Sequence, residues 1–174
     1  MKSFESLVVL KRPQGELWTI MRDHLTSLAE RVDDIEEIRE LQRSDADGVV
    51  HLVNQWRMRQ QIPVAVRSML KIGDISWIDR NRWDGQAGIC HWTIEPGFLA
   101  EHIACSGRTV FAEAMGGRGT RVTFAGELDV KPSLLGALGA IGPMVTGFVE
   151  SIATTIIPRN FRAVAEAAVA FRLP

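Results

Sequence analysis

The side chains best equipped for chemistry are Asp79, Asn54, and the group Cys90, His91, His102 and Cys105. The last four invite a zinc reading, which needs nitrogen and sulfur donors converging tetrahedrally. On a strand, neighbours point to opposite faces, so Cys90 and His91 diverge. His102 and Cys105 stand three apart and diverge in the same way. A hairpin about Pro96-Gly97 would set Cys90 and Cys105 nearly opposite each other, as two buried reduced thiols, a common state for cysteine. The pattern therefore predicts no metal and no cofactor.

Asp79 and Asn54 carry more weight, as the candidates for catalysis. Asn54 falls between Leu52 and Trp56, and Asp79 and Asn81 between Trp77 and Trp83, on strand faces that otherwise read as apolar. A buried polar group needs a partner. A carboxyl drawn into a cavity has a raised pKa and can serve as a general acid or base. The competing reading pairs Asp79 with Arg80, Arg82 or Arg108, or shifts the strand register. His24 and His51 read as exposed. Gly116-Gly117-Arg118-Gly119 lacks the Lys-Ser/Thr ending of a phosphate loop and reads as a hairpin.

These residues must be positioned by strands and helices. Ser3 to Lys11 reads as a strand, and Pro13 suits the first turn of a helix, or a broken pair of helices, running to about Arg31. Ile35 to Arg43 has helical spacing, but Asp47-Gly48 and the alternating segment Val49 to Arg59 after it favour the first arm of a hairpin. Val64 to Lys71 reads as a short helix after Ile62-Pro63. From Asp74 to Lys131 the chain reads as all-β: Ile75 to Trp83, Gly88 to Glu95, Glu101 to Met115 and Thr120 to Lys131. The faces taken as inward are aromatic, with Trp56, Trp77, Trp83, Trp92, Phe111 and Phe124.

The charge distribution is uneven. Twenty Lys and Arg balance 21 Asp and Glu over 174 residues, for a net charge of −1. This argues against a broad electrostatic nucleic-acid binder. Yet between Lys131 and Arg159 the only charged residue is Glu150. Within that tract Met144, Val145, Phe148, Val149, Ile152 and Ile156 hold helical spacing, Pro158 should kink or restart the helix, and Asn160 to Arg172 continues it. Length alone would allow a membrane span, since about 20 apolar residues suffice. Gly136, Gly139, Gly142, Gly147 and Pro143 favour a loop and a helix gripped by the sheet. Leu134 to Gly142 is then a gate beside a pocket or a lip touching a membrane transiently.

A chain of this length buries about 70% of its unfolded surface and needs no disulfide or metal staple. Met1 to Leu10 has no signal-peptide core, so the expectation is a cytoplasmic protein with one domain over 1–174.

The order of strand, helices, antiparallel strands and a long last helix resembles the START-like, Bet v 1-like superfamily (SRPBCC), which includes polyketide cyclases and lipid-transfer proteins. The resemblance rests on the opening strand with Pro13-Gln14-Gly15-Glu16-Leu17-Trp18, on Asp47 to Trp56, and on Gly119 to Phe124 leading through Gly126 to Val130. It implies an α+β helix-grip fold, a curved antiparallel β-sheet wrapped around a long C-terminal α-helix. It also implies a cavity between the two that holds an apolar ligand. The wall candidates are Asn54, Trp56, Trp77, Asp79, Trp83, Trp92, Phe111 and Phe124 from the sheet, with Met144, Phe148 and Ile152 from the helix. The expected function is binding or transport of a hydrophobic small molecule or lipid. The alternative is a polyketide cyclase or aromatase acting in the same cavity.

Overall fold

The computed structural model describes residues 1–59 and 61–174. Seven strands form one antiparallel sheet: β1 (Lys2–Leu10), β2 (Ile35–Ala46), β3 (Val49–Met58), β4 (Ile75–Asp84), β5 (Ile89–Pro96), β6 (Ile103–Ala114) and β7 (Gly119–Val130). Their spatial order is β1-β7-β6-β5-β4-β3-β2, so only the β1–β7 neighbours are distant in sequence. Two short helices, α1 (Gln14–Asp23) and α2 (Leu25–Ala29), follow β1, and α3 (Val64–Leu70) links β3 to β4. After β7 come α4 (Ser133–Leu138), α5 (Gly142–Ser151), a π-helical turn (Ile152–Ile156) and α6 (Ile157–Val169). The architecture is α+β, a curved antiparallel sheet with a long C-terminal helix.

The β2–β3 hairpin explains why the segment from Ile35 had helical spacing. Asp47 and Gly48 both have positive φ, at 53° and 77°. A two-residue turn of that type matches strand twist and fixes the register. Extra residues then interrupt the pairing between Ile35 and Glu37 and again between Glu40 and Gln42. Each bulge moves the side-chain alternation on by one. Ile35 and Ile38 therefore share the buried face although they stand three apart.

One expected register is corrected. Cys90 lies opposite Thr109, and Cys105 lies opposite Ile94. The two thiols are thus four positions out of step. The cause is the connection after Pro96: it is no tight turn, but runs through Leu99 with φ of 55° and a helical turn at Ala100–His102 before β6 begins at Ile103.

The C-terminal run absorbs Pro158 without breaking. Proline lacks the N–H that would bond the carbonyl four residues back, and its ring crowds that carbonyl. The wider π turn at Ile152–Ile156 lies just before it and accommodates both. Val145, Val149, Ile152, Ala153 and Ile156 are buried toward the sheet. Beyond them α6 lies against β1, α1 and α2. Its last carbonyls are held by Arg12, whose Nη1 donates to Ala168 O and Val169 O at 3.2 Å and also to Phe171 O. A cation there complements the negative end of the helix.

Upstream of Val145 the burial thins to Leu134 and Gly142, with Leu138 and Ile141 partly covered. Ala137, Ala140 and Met144 are exposed, so they do not oppose the sheet's aromatic rings. Leu134 takes the one buried position of α4. Met144 sits roughly 100° around the helix from buried Val145.

Candidate functional site

The inner face of the sheet is built in rows. Asn54 lies opposite Asp79, which lies opposite Ile94. One row along, Leu52, Asn81, Trp92 and Gly107 follow each other across four strands, and Gly126 continues the row. The glycines are needed where they stand. A Cβ on Gly107 would stand 2.5 Å from Trp92 Cζ2, and one on Gly126 would also meet the Trp92 ring. The indole therefore rests directly on two strands, and stacks against Phe124 with centroids 4.7 Å apart. Phe161 of α6 stacks on the other side of Phe124 at 4.4 Å. This column of rings couples sheet to helix.

Beside the column is a cavity of about 40 Å³. Trp56, Trp77, Asp79, Trp83, Trp92 and Phe124 border it. The helical wall is Met21, Leu25, Ile157 and Phe161. The volume has room for two or three waters. A second cavity, of about 30 Å³ and wholly apolar in lining, lies beyond Ile94 and Ile157, which border both. Ile152 and Phe98 line this second space.

Among the described residues, Asp79 is the only carboxylate bordering the first cavity. Its two hydrogen bonds fall on Oδ2, from Trp56 Nε1 at 3.2 Å and from Asn81 Nδ2 at 2.9 Å. Burial pushes its carboxyl up to about 6, and the two bonds pull the other way without cancelling it. The arginines beside it in sequence do not neutralise it. Arg80 reaches Glu95 and Arg82 reaches Asp84, both on the outer face. Asn81 Oδ1 in turn accepts from the Cys90 thiol at 3.7 Å. Burial raises the Cys90 thiol well above its usual range and Cys105 to about 12, so both stay protonated and poorly nucleophilic. Among the described residues, no three His, Cys, Asp or Glu converge as a metal would need.

The remaining sequence candidates lie elsewhere. Asn54 is buried, directly opposite Asp79 in register, yet outside the cavity wall, and its Nδ2 has no partner among the described residues. Phe111 packs edge-on against Trp18 at 5.1 Å instead of bordering the space. Phe148 stacks on Phe98 at 6.3 Å near the second cavity, and Met144 faces solvent. Sequence reasoning missed Met21, Leu25, Asn81, Cys90, Ile94, Thr109, Ile157 and Phe161 as wall residues. Their apolar periodicity marked the helical ones as core, and nothing in that spacing says which core residues border a void.

No family model and no curated protein sequence matches the chain. Solved structures do. A Thermus thermophilus protein, TTHA0849, is 15% identical, with 97% of this chain and 98% of that one aligned at a TM-score of 0.68. The Zhui aromatase/cyclase from Streptomyces sp. R1128 is 14% identical, covering 97% and 91%, at 0.66. Norcoclaurine synthase from Thalictrum flavum, in complex with dopamine and hydroxybenzaldehyde, is 12% identical, covering 99% and 89%, at 0.56. The chain shares the helix-grip fold of these structures, a curved antiparallel sheet with a long C-terminal helix. At such identities the likeness carries the fold and leaves the activity to the site itself.

Proposed function

We propose that residues 1–174 act as one domain that binds a hydrophobic small molecule or lipid between the sheet and the C-terminal helix, as a soluble cytoplasmic binding protein or carrier. The observation that carries this reading is the pairing of a ring-lined apolar cavity with a single carboxyl, Asp79, whose surroundings raise it to about 6. An apolar site with few polar groups is the usual form of a small-molecule pocket. The two cavities together are far below the roughly 300–1,000 Å³ such pockets span. Ligand entry therefore needs the helix wall of Met21, Leu25, Ile157 and Phe161 to move outward from the sheet, with Ile94 and Ile157 parting so that the two cavities join into one elongated and much larger space. Such a space favours a ligand with a polar group at Asp79 and an apolar body reaching toward Phe98.

The test is titration with 1-anilinonaphthalene-8-sulfonate, an apolar fluorescent probe, read by its own emission and by quenching of the tryptophans. Saturable binding is expected, weakened roughly tenfold, or about 1.4 kcal/mol, by Ile94→Trp, which fills the passage. Equal binding by this variant at unchanged melting temperature, or no binding by the parent, overturns the reading.

A second reading, a cyclase or aromatase acting in the same cavity, is favoured by Asp79 alone. A carboxyl titrating near 6 can take a proton from a carbon flanked by carbonyls and return it to a departing hydroxyl. Turnover of a linear poly-β-ketone thioester that falls about 100-fold or more in Asp79→Asn supports it. Turnover unchanged in that variant removes Asp79 from the chemistry.

A further inference from the structure

One end of the sheet gathers three connections. Met58 pairs with Ile75, Trp77 with Pro96, and Ile103 with Val130, so α3, the turn at 97–102 and α4–α5 all leave the sheet at the same end. Phe98 stacks on Phe148, and Lys131 N–H bonds His102 O at 2.9 Å, tying two of these segments together. Here several apolar side chains turn outward while Val66, Leu134 and Phe148 pack inward. Val64 is 79% exposed, Met69 52%, Leu135 45% and Met144 42%. The most apolar stretch of the run from Ser133 to Val169 is only 39% buried, where a helix enclosed in a core would be mostly so. Scattered exposed apolar residues are ordinary, but here four stand on connections that leave the sheet at the same end, on α3 and on α4–α5, with β5 and β6 between them.

The charges at this end are not balanced segment by segment. Residues 59–73 carry Arg59, Arg67 and Lys71 and no acid, and residues 130–149 carry Lys131 and no acid. Asp74 and Glu101 stand at the margins. Of the other acids at this end, Asp34 pairs with Arg159, Asp129 with the N-terminal amine and Glu150 with Lys2, while the exposed carboxyl of Asp33 stands near Arg59. Asp33 offers its backbone carbonyl to Arg59.

We propose that this end of the molecule docks on an anionic lipid membrane, with Val64, Met69, Leu135 and Met144 entering the interface and Arg67 and Lys71 meeting the headgroups. Interfacial binding of this kind combines buried apolar area with attraction to anionic lipid. Each cation near such a surface strengthens binding by about fivefold. A second copy of the chain fits less well, because like-charged faces would meet. The surface is also continuous with the interior, since Phe98 belongs to the rim and to the wall of the second cavity. The inference stands apart from the ligand-binding reading: a membrane-docked protein with no ligand would leave it intact.

The experiment is co-sedimentation of the protein with vesicles of phosphatidylcholine alone and with added phosphatidylserine. Binding to the anionic vesicles is expected, weakening as salt is raised. The combined change Arg67→Glu and Lys71→Glu should lower it at least about 25-fold, the product of two such cation contributions. The change Leu135→Ser with Met144→Ser should lower binding to both vesicle types. Melting temperature checks that each variant is folded. No association with anionic vesicles overturns the proposal. So does association untouched by both pairs of substitutions. Self-association in solution that the serine variant abolishes, without vesicle binding, assigns the surface to a second copy instead.

Discussion

Around Asp79 the apolar side chains are enclosed, with Phe161 alone of the cavity wall's apolar residues partly open, and the polar ones are rationed. At the α3–α4 end of the same sheet, valine, methionine and leucine side chains face water with only cations in their own segments. The two regions use similar residue types in opposite ways. In the interior, position is dictated by contact: Trp92 lies on two glycines, Phe124 on Trp92, and Phe161 on Phe124. Along the rim few contacts dictate anything, and Val66 is the only buried residue of α3. A side chain that contributes to folding and one that contributes to an encounter can thus share one hydropathy, and only their enclosure tells them apart.

The sharpest way to break the interior is to add one carbon at its tightest place. Gly107→Ala puts a methyl group 2.5 Å from Trp92 Cζ2 and against the Ala125 carbonyl of the next strand. The backbone there cannot swing away as a flexible side chain would. Overpacking of this kind costs about 3 kcal/mol or more. Denaturant unfolding should show the loss, with the Trp92–Phe124 stack displaced in near-ultraviolet circular dichroism. A loss under about 0.5 kcal/mol would mean that the ring column does not fix the sheet.

Asp79 tests the electrostatic side of the same enclosure. Its folded value lies near 6, above the ordinary 3.8. A carboxyl raised on folding contributes its stability at low pH and loses it as pH climbs toward the folded value, because the fold must then hold a charge in a half-buried site among aromatic rings. Wild-type stability should therefore fall, relative to Asp79→Asn, between about pH 4 and pH 6, by roughly 1–3 kcal/mol in all, the upper figure being the full shift and the lower one that of a half-solvated carboxylate. Above that range the variant should be the more stable protein, less whatever its amide loses by pairing imperfectly with Trp56 and Asn81. A difference independent of pH would show that the carboxylate is solvated through the cavity.

Much of the interior was legible in the sequence. Alternation placed Trp56, Trp77, Asp79, Trp83, Trp92 and Phe124 on one face, because a pleated strand repeats every two residues and burial follows the repeat. What escaped was whatever depends on an interruption of that repeat or on distant packing. Ile35 and Ile38 kept helical spacing because a bulge separates them. The two cysteines missed each other because the connection after Pro96 is longer than a turn. Met21 and Leu25 belong to the cavity through the docking of α1 and α2, which leaves no spacing of its own. Met144 and Phe148 show the limit from the other side. Periodicity identified an apolar helix, but a helix can stay apolar past the edge of the sheet that covers it.

That last point separates the two regions by experiment, and the effect on stability should be the smallest of all. Met144 and Leu135 are exposed, so replacing either by serine removes little buried area. Substitutions at such sites usually stay within about 0.5 kcal/mol, though serine gives up some helix propensity relative to both. The doubly substituted protein should unfold within a degree or two of the parent while its hold on anionic vesicles drops. Truncating Val145 to alanine, one residue from Met144 but fully buried, should do the reverse, costing about 1–3 kcal/mol of stability through the cavity it leaves. Equal destabilisation by both changes would mean that the rim is covered in solution by contacts of its own, and the contrast between enclosed and presented apolar residues would collapse at that end of the molecule.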